Sequence, residues 1–321
     1  MQFGLAVATI ELIMKNLWQI VQKINIEPGR ITLSEPMSAH TTFKIGGPAD
    51  FFIRISTRAE LVLALRSLRE QKIPLFILGG GANILVGDKG IRGAVLDLSG
   101  LAEARRSGTG MIADAGIPID SLCENALALG LGGLENFYGM PGSLGGAIYM
   151  NARCYEKDIS EILGDIAAIS PHGEFHSIRT SPAQWSYKKS PFQPGGDYDG
   201  WTIAGAALNL HAGVPEEIAG VMRSRKLDRR AKGHYLLPSA GSIFKNNRRF
   251  GKPTGAILDG LGLKGMRIGD AAVSSWHANI FVNLGAATAS DMKALIDMAE
   301  EKAFSAYGFE LEPEVLFTGD F

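Results

Sequence analysis

Apolar positions along the chain alternate between strand-like runs and helix-like spacing. ADFFIRIS (residues 49–56) is an apolar, β-branched and aromatic run that predicts a strand. RAELVLALRSLREQ (58–71) follows, with Leu61, Leu65 and Leu68 on one helical face. PLFILGGG (74–81) predicts a strand running into a turn, and GAVLDLSG (93–100) another strand. The mixture continues over 101–210, with strand, turn and helix in MIADAGIPIDSLCENALALGL (111–131) and further β signals up to TIAGAALNL (202–210). At Pro215 the texture changes to a charged helix, PEEIAGVMRSRKLDRRAK. A compact α+β segment then runs to about residue 308 and ends in a long helix from Ala287, before a last strand in FELEPEVLFTG (309–319). At the other end, Leu12, Leu17, Ile20 and Val21 recur at helical spacing between Glu11 and Lys23, an amphipathic opening helix with Met14 as an alternative start. Glu11 and Lys15 interrupt that stretch and no basic leader or small-residue cleavage site accompanies it, which argues against a secretory signal. No run reaches the length of a membrane span, and a cytoplasmic protein is expected.

Length and composition narrow this picture. A chain of 321 residues exceeds the usual size of one core, so two or three lobes are expected. A hydrophobic share of 46% argues against disorder, and a net charge of -1 against a nucleic-acid scaffold. Cys123 and Cys154 are too few for a disulfide framework and read as small buried filler. The six histidines show no metal-ligand spacing; His172 and His176 flank Gly173 in PHGEFH, which reads as a hairpin tip, and no metal is expected.

Glycine is the outlier, at 40 residues, about 12% against a usual share of about 7%. Seventeen of the 40 fall between Gly79 and Gly146. Gly79, Gly80 and Gly81 directly follow an apolar strand, where successive glycines can turn backbone N–H groups towards an anion. Neither GxGxxG before a helix nor a phosphate-binding loop with Lys-Ser/Thr is present. A second cluster, YGMPGSLGGAIYMNA, holds Gly139, Gly142, Gly145 and Gly146 around Pro141 and Ser143, a backbone able to press against a flat or phosphorylated ligand. Two such loops about 60 residues apart imply a large ligand with a diphosphate bridge.

PLFILGGGANILVGDKGIRGAVLDL, GLGGLENFYGMPGSLGGAIYMNA, PSAGSIFKN, GLKGMRIGDAAVSSWHANIFVN and LEPEVLFTG occur in that order from about Thr41 to Gly319. Together they resemble the FAD-dependent UDP-N-acetylenolpyruvoylglucosamine reductase family of bacterial cell-wall synthesis, in its shorter form. The glycine triplet with Ala-Asn alone would indicate only the wider vanillyl-alcohol-oxidase-like group of FAD proteins. The resemblance implies an α+β fold with a two-part FAD-binding domain of the PCMH type and a smaller α+β substrate-binding domain. The corresponding bounds are an N-terminal extension at 1–30, an FAD-binding domain at 31–214 (subdomains 31–100 and 101–214) completed by a terminal strand at 309–321, and a substrate domain at 215–308.

The same resemblance implies FAD and NADPH as cofactors, a small-molecule UDP-sugar as substrate, and reduction of its enolpyruvyl ether to a lactyl ether. Partners beyond these are not expected: no nucleic acid, no membrane, and a monomer. Ser242 matches the family's proton donor and Glu314 the glutamate that assists at the developing enolate, although Glu312, two residues away on a strand, should share its face. Lys188 in WSYKKSPFQ stands where the family has arginine, which keeps the charge but loses the planar two-point grip on a carboxylate. Lys189 should face the opposite side of the same strand. Arg153 and Glu156 in MNARCYE stand where the family has glycines; Arg153 would either compensate for Lys188 or crowd the site. FAD contacts are expected from Leu78, Gly79, Gly80, Gly81, Ala82, Asn83 and Ile84, and from Pro141, Gly142, Ser143, Gly145, Gly146 and Ala147. Tyr187, Lys245 and Asn246 are the substrate-binding candidates. His277 and Asn279 are assigned to architecture, and the basic run Arg223, Arg225, Lys226, Arg229, Arg230 and Lys232 to a solvated helix face or to the diphosphate. Two further readings stay open at this point: a related FAD oxidoreductase acting on another sugar, and a flavin- or nucleotide-sugar-binding homologue with impaired catalysis.

Overall fold

The computed structural model describes Ile24 and residues 26–321, so the opening helix expected over 11–23 lies outside the described residues. Strands β1 (Ile31–Pro36), β2 (Pro48–Arg54), β3 (Leu75–Leu78), β4 (Ile84–Val86) and β5 (Ile91–Asp97) come first; all but β4 form one sheet in the order β1-β2-β5-β3. β2, β5 and β3 run parallel and β1 antiparallel to β2. β5 is buried at every position except Arg92, as a parallel strand with neighbours on both sides and cover on both faces should be. Helix α1 (Arg58–Glu70) starts where the Thr57 side chain accepts the Glu60 amide, and it buries Leu61, Ala64, Leu65 and Leu68, the face that the leucine spacing marks out.

A second, antiparallel sheet contains β6 (Ala104–Ser107), β7 (Gly110–Asp114), β8 (Leu163–Ile169), β9 (Phe175–Ile178) and β10 (Thr202–Leu208), in the order β9-β8-β10-β7-β6. Helices α2 (Ile119–Ala128) and α3 (Leu144–Tyr149) lie between β7 and β8 in the chain. PHGEFH does form the turn between β8 and β9, with the Gly173 amide donating to the Ser170 carbonyl at 2.9 Å. The two sheets share one core, and helix α4 (Pro215–Ala231) packs Ile218 and Met222 into it. The change of texture at residue 215 therefore opens a helix that covers the first core, and the packing break falls later, between Met222 and Ala240.

The second core begins at Ala240 and takes in α5 (Thr254–Gly260), the small sheet β11 (Arg267–Ile268), β12 (Ala271–Val273) and β13 (Phe281–Asn283), and α6 (Ala289–Tyr307). Phe43, Ile45 and Leu85, from the N-terminal part of the chain, complete it. α6 begins two residues after the expected Ala287 because Thr288 and Asp291 form a reciprocal cap, and it ends at Gly308 with φ 74°. The expected terminal strand is shorter than 309–319. Only β14 (Leu316–Thr318) is regular, pairing in parallel with β4 at Leu316–Ile84. Before it, Pro313 has no N–H to give to a ladder, and the chain makes single bonds instead. The Lys245 amide donates to the Glu312 carbonyl at 2.8 Å and the Glu314 amide to the Ile243 carbonyl at 2.6 Å.

Two polar side chains tie the second core to the first part of the chain. Asn283 is 1% exposed; its amide nitrogen donates to the Phe43 carbonyl at 3.1 Å and its oxygen accepts from Gly285 and Ala287 at 2.8 and 3.0 Å. Asp88 reaches across to the start of α6, accepting from the Ala289 amide at 2.7 Å, the Ser290 amide at 2.9 Å and the Ser290 hydroxyl at 2.6 Å. Burial works against its charge, but these donors outweigh it and hold the carboxyl below the ordinary aspartate range. A depressed carboxyl contributes stability above its unfolded pKa and loses it as pH falls through the folded value. Asp88→Ala should therefore cost about 1–2 kcal/mol near neutral pH, the worth of a helix cap, and less in acid. Urea unfolding at pH 7 and pH 3 measures both; an unchanged midpoint at pH 7 would show that Asp88 does not hold α6.

Candidate active site

β3 ends at Leu78 and the chain turns through Gly79–Gly81 into a cleft of about 1410 Å³ lined by residues of both cores. Every residue that the sequence nominates as catalytic, cofactor-binding or substrate-binding lines this one cleft. Its volume exceeds the roughly 300–1,000 Å³ of ordinary small-ligand sites, which leaves room for a dinucleotide and a second ligand.

The two glycine loops touch. A Cβ on Gly80 would lie 2.5 Å from the Cα of Gly142, and Gly81 has φ +59°, so side chains are excluded here by contact and by backbone geometry. Their hydrogen bonding differs. The carbonyls of Gly81 and Asn83 accept from Thr42 and Leu316, both at 3.0 Å, yet the amides of Gly79, Gly80, Gly81, Ala82 and Asn83 donate to no acceptor among the described residues. Unpaired backbone amides are rare, and five in succession at a cleft form a ready cradle for phosphate oxygens. Beside them the hydroxyl oxygen of Thr42 is buried without a partner among the described residues. In the second loop the donors from Leu144 onward are already taken, while the Gly142 and Ser143 amides donate to no acceptor among the described residues. Leu144 donates to the Ile117 carbonyl at 3.0 Å, Gly145 to the Ala115 carbonyl at 2.7 Å, and Gly146 to the Ser143 hydroxyl at 3.4 Å. The first loop offers anion capture and the second a close-packed floor. Such a cradle and floor fit a dinucleotide cofactor.

Ser242, also in the cleft lining, sits between fixed points. It bridges Ile280, and Ile243 donates to the Asn279 carbonyl at 2.9 Å. The Asn279 side chain brackets the Phe244 peptide, accepting from its N–H at 3.0 Å and donating to its carbonyl at 2.8 Å. His277 Nδ1 accepts from the Asn279 amide at 3.2 Å, which leaves the ring proton on Nε2, and burial lowers its pKa. Asn279 thus acts as scaffold, with His277 behind it. The Ser242 hydroxyl itself has no hydrogen-bond partner among the described residues.

Glu312 and Glu314 each meet a lysine. Glu314 Oε1 is 2.5 Å from Lys188 Nζ, with both side chains 14% exposed, whereas Glu312, 65% exposed, pairs with Lys245 at 2.6 Å. Enclosure separates two carboxylates that their spacing could not. The strand expected over 187–189 is a tight turn: Ser186 and Lys189 exchange backbone hydrogen bonds at 3.2 and 3.0 Å, and Lys188 has φ 58°. Lys188 and Lys189 consequently both line the cleft. The Tyr187 hydroxyl accepts from the Asn246 amide at 3.4 Å, and the Asn246 side chain accepts from Thr254 at 2.8 Å at the start of α5.

Arg153 neither reaches across the cleft nor fills it. It lies on a two-residue hairpin arm, Arg153–Cys154 against Lys157–Asp158, and its guanidinium pairs with Asp158 at 3.0 Å. The hairpin tip places Tyr155 and Glu156 at φ 47° and 65°, left-handed positions that favour glycine. Tyr155 is anchored to α4: its hydroxyl donates to Asp228 at 2.7 Å, and Arg225 lies 4.1 Å from its ring centre. Burial and Asp228 push that hydroxyl up to about 12. The basic run on α4 divides. Arg223 and Arg230 are exposed, Arg225 and Lys226 cover Tyr155 and Tyr138, and Arg229 and Lys232 line the cleft.

Sequence reasoning missed three participants in the cleft lining. Cys154 is buried, as a filler should be, but its sulfur also accepts from Arg229 Nη2 at 3.0 Å. Burial pushes the thiol up against the pull of Arg229 and Lys188. His234 lines the same cleft, and burial followed by the Arg229 charge lowers its pKa to about 4. Thr42 is the third. No spacing rule joins residues 42, 154, 229 and 234; only the tertiary fold does.

Similarities to known proteins agree with this layout. A family model described as UDP-N-acetylenolpyruvoylglucosamine reductase, C-terminal domain, matches residues 232–318, and one described as an FAD binding domain matches 49–179. A UDP-N-acetylenolpyruvoylglucosamine reductase from Treponema denticola is 40% identical, covering 96% of this chain and 99% of that protein. One from Borrelia garinii is 39% identical, covering 95% and 98%. The crystal structure of a UDP-N-acetylenolpyruvylglucosamine reductase from Thermus caldophilus matches with a TM-score of 0.73 at 32% identity, covering 89% of this chain and 97% of that one.

Two measurements check this description. Glu156→Gly should stabilise the chain by about 0.5–1 kcal/mol by relieving a left-handed non-glycine residue; a lower melting temperature would contradict the hairpin geometry. For His234, a folded pKa below the unfolded one means the unfolded chain takes up the proton first, so stability declines as pH falls from about 6.5 towards 4. Replacing His234 with glutamine should flatten that slope by at most about 1.4 kcal/mol per pH unit, and an identical profile would sink the assignment.

Proposed function

The chain belongs to the UDP-N-acetylenolpyruvoylglucosamine reductase family, and on that premise we propose how its residues divide the work. The reaction is the FAD-dependent reduction of the enolpyruvyl ether of a UDP-sugar to a lactyl ether, a step in making peptidoglycan precursors. FAD, when bound, supplies the hydride that adds to the terminal vinyl carbon. In our reading the free amides of residues 79–83 receive its diphosphate and the Pro141–Ala147 loop supports its flat surface.

The observation that carries the assignment of roles is the position of Glu314. Its amide is bonded to Ile243, next to Ser242, and its carbonyl accepts from the Asn83 side chain at 2.8 Å. One residue is thereby held against both the proton-donor segment and the glycine loop. Negative charge developing beside the substrate carboxylate is stabilised by the Lys188 ammonium, which Glu314 keeps in place. The Ser242 hydroxyl, free of internal partners, delivers the proton to the carbon next to that carboxylate, so that a hydride and a proton together saturate the double bond. Tyr187, Lys245 and Asn246 receive the sugar nucleotide. NADPH is the proposed source of reducing equivalents, entering the same cleft before the sugar nucleotide does. A cytoplasmic monomer completes the reading.

Ser242→Ala tests it on the FAD-loaded enzyme by rapid mixing. The NADPH half-reaction should stay within about threefold of wild type, while the half-reaction with the enolpyruvyl UDP-sugar slows by at least about 100-fold, the low end of general-acid catalysis. Equal slowing of both would remove Ser242 from the proton-donor role.

A further inference from the structure

The substrate class named above carries a carboxylate on its reacting group, and the cleft has few cations free to meet it. Arg153 is paired with Asp158 at 3.0 Å, Lys188 with Glu314 at 2.5 Å, Lys232 with Asp228 at 2.7 Å and Lys245 with Glu312 at 2.6 Å. Lys189 and Arg248 are exposed to water. Arg229 alone among the described cleft-lining cations is both partly buried and without a carboxylate partner. Its Nη2 donates to the Cys154 sulfur at 3.0 Å, a weak acceptor, and its Nε is buried with no partner among the described residues. A guanidinium left in that state is costly unless an anion arrives to satisfy it.

Its place in the cleft says which anion. Cys154 lies 3.4 Å from Met140 Sδ, immediately before the Pro141–Ser143 floor. The charges of Arg229, Lys188 and Glu314 all act on the Cys154 thiol, so the four groups share one neighbourhood. Phosphates have other receivers, in the free amides of 79–83 and in the Lys245–Asn246 segment. We infer that Arg229 is the two-point grip on the substrate's enolpyruvyl carboxylate, with Lys188 as its single-point companion. This rests on the reductase reading of the cleft.

Binding to the oxidised, FAD-loaded enzyme, measured by titration calorimetry, tests it without turnover. The two probes are UDP-N-acetylenolpyruvoylglucosamine and UDP-N-acetylglucosamine, which lacks the carboxylate. Arg229→Gln should weaken the first at least tenfold and the second less than threefold, with an unchanged flavin absorbance spectrum. Arg229→Lys, which keeps charge and bulk, should fall between Arg229→Gln and wild type for the first ligand and guards against a folding defect. Equal weakening of both ligands would make Arg229 a phosphate contact, and no weakening of either would give it no binding role; each result overturns the inference. Wild-type protein that fails to bind the enolpyruvyl ligand would overturn the reductase reading itself.

Discussion

The cleft depends on the double anchoring of Glu314. Its amide is spent on Ile243 and its carbonyl on the Asn83 side chain, so the second core, the terminal segment and the glycine loop meet at one residue. β14 extends that junction by pairing with β4, and Asp88 reinforces it by capping α6 from the other side. Because these are backbone and buried polar contacts, they fix orientation as well as proximity. Ser242, two residues from the Phe244 peptide that Asn279 brackets, inherits this rigidity. Transition-state stabilisation requires groups already in place when charge develops, and the roles proposed for Ser242 and Glu314 would draw on this junction for that.

The cleft is cationic, yet most of its cations are neutralised in pairs by neighbouring carboxylates. Pairing holds each ammonium at a defined point and lowers the cost of enclosing it. Among the described cleft-lining groups it leaves Lys189 and Arg248 in water, Arg229 resting on a thiol, and the consecutive free amides at 79–83. A guanidinium suits a planar two-point ligand, while backbone donors in a curved loop suit tetrahedral phosphate. On the proposed reading, the two kinds of unsatisfied donor would sort ligand groups by shape along one cleft.

Lys188, where the resemblance implies an arginine, takes on a different meaning once the turn is visible. A lysine at φ 58° carries its ammonium to Glu314, and the pair is held by a turn whose own hydrogen bonds close at Ser186 and Lys189. Arg153 does not substitute for the lost guanidinium, because Asp158 on the adjacent arm of its own hairpin is nearer to hand. Charge at this point of the cleft is therefore retained in Lys188, while on the proposed reading planar recognition falls to Arg229 on α4.

Much of this was written locally. Leucine spacing in α1, the Thr288–Asp291 cap of α6, the apolar run of β5 and the turn at Gly173 follow from neighbouring residues, because their periods and caps act within a few positions. The glycine loops and the candidates at 188, 242 and 314 were legible as motifs for a similar reason: their chemistry needs particular residues at short spacing. Tertiary structure alone decided which carboxylate is enclosed, Glu314 and not Glu312, since both have a lysine partner and only burial tells them apart. It also turned 186–189 from strand to turn, moved the packing break from residue 215 to beyond Met222, and brought Thr42, Cys154, Arg229 and His234 into one cleft. Contacts such as Arg229 with Cys154, 75 positions apart, and Lys188 with Glu314 decide these placements, and no local period encodes them.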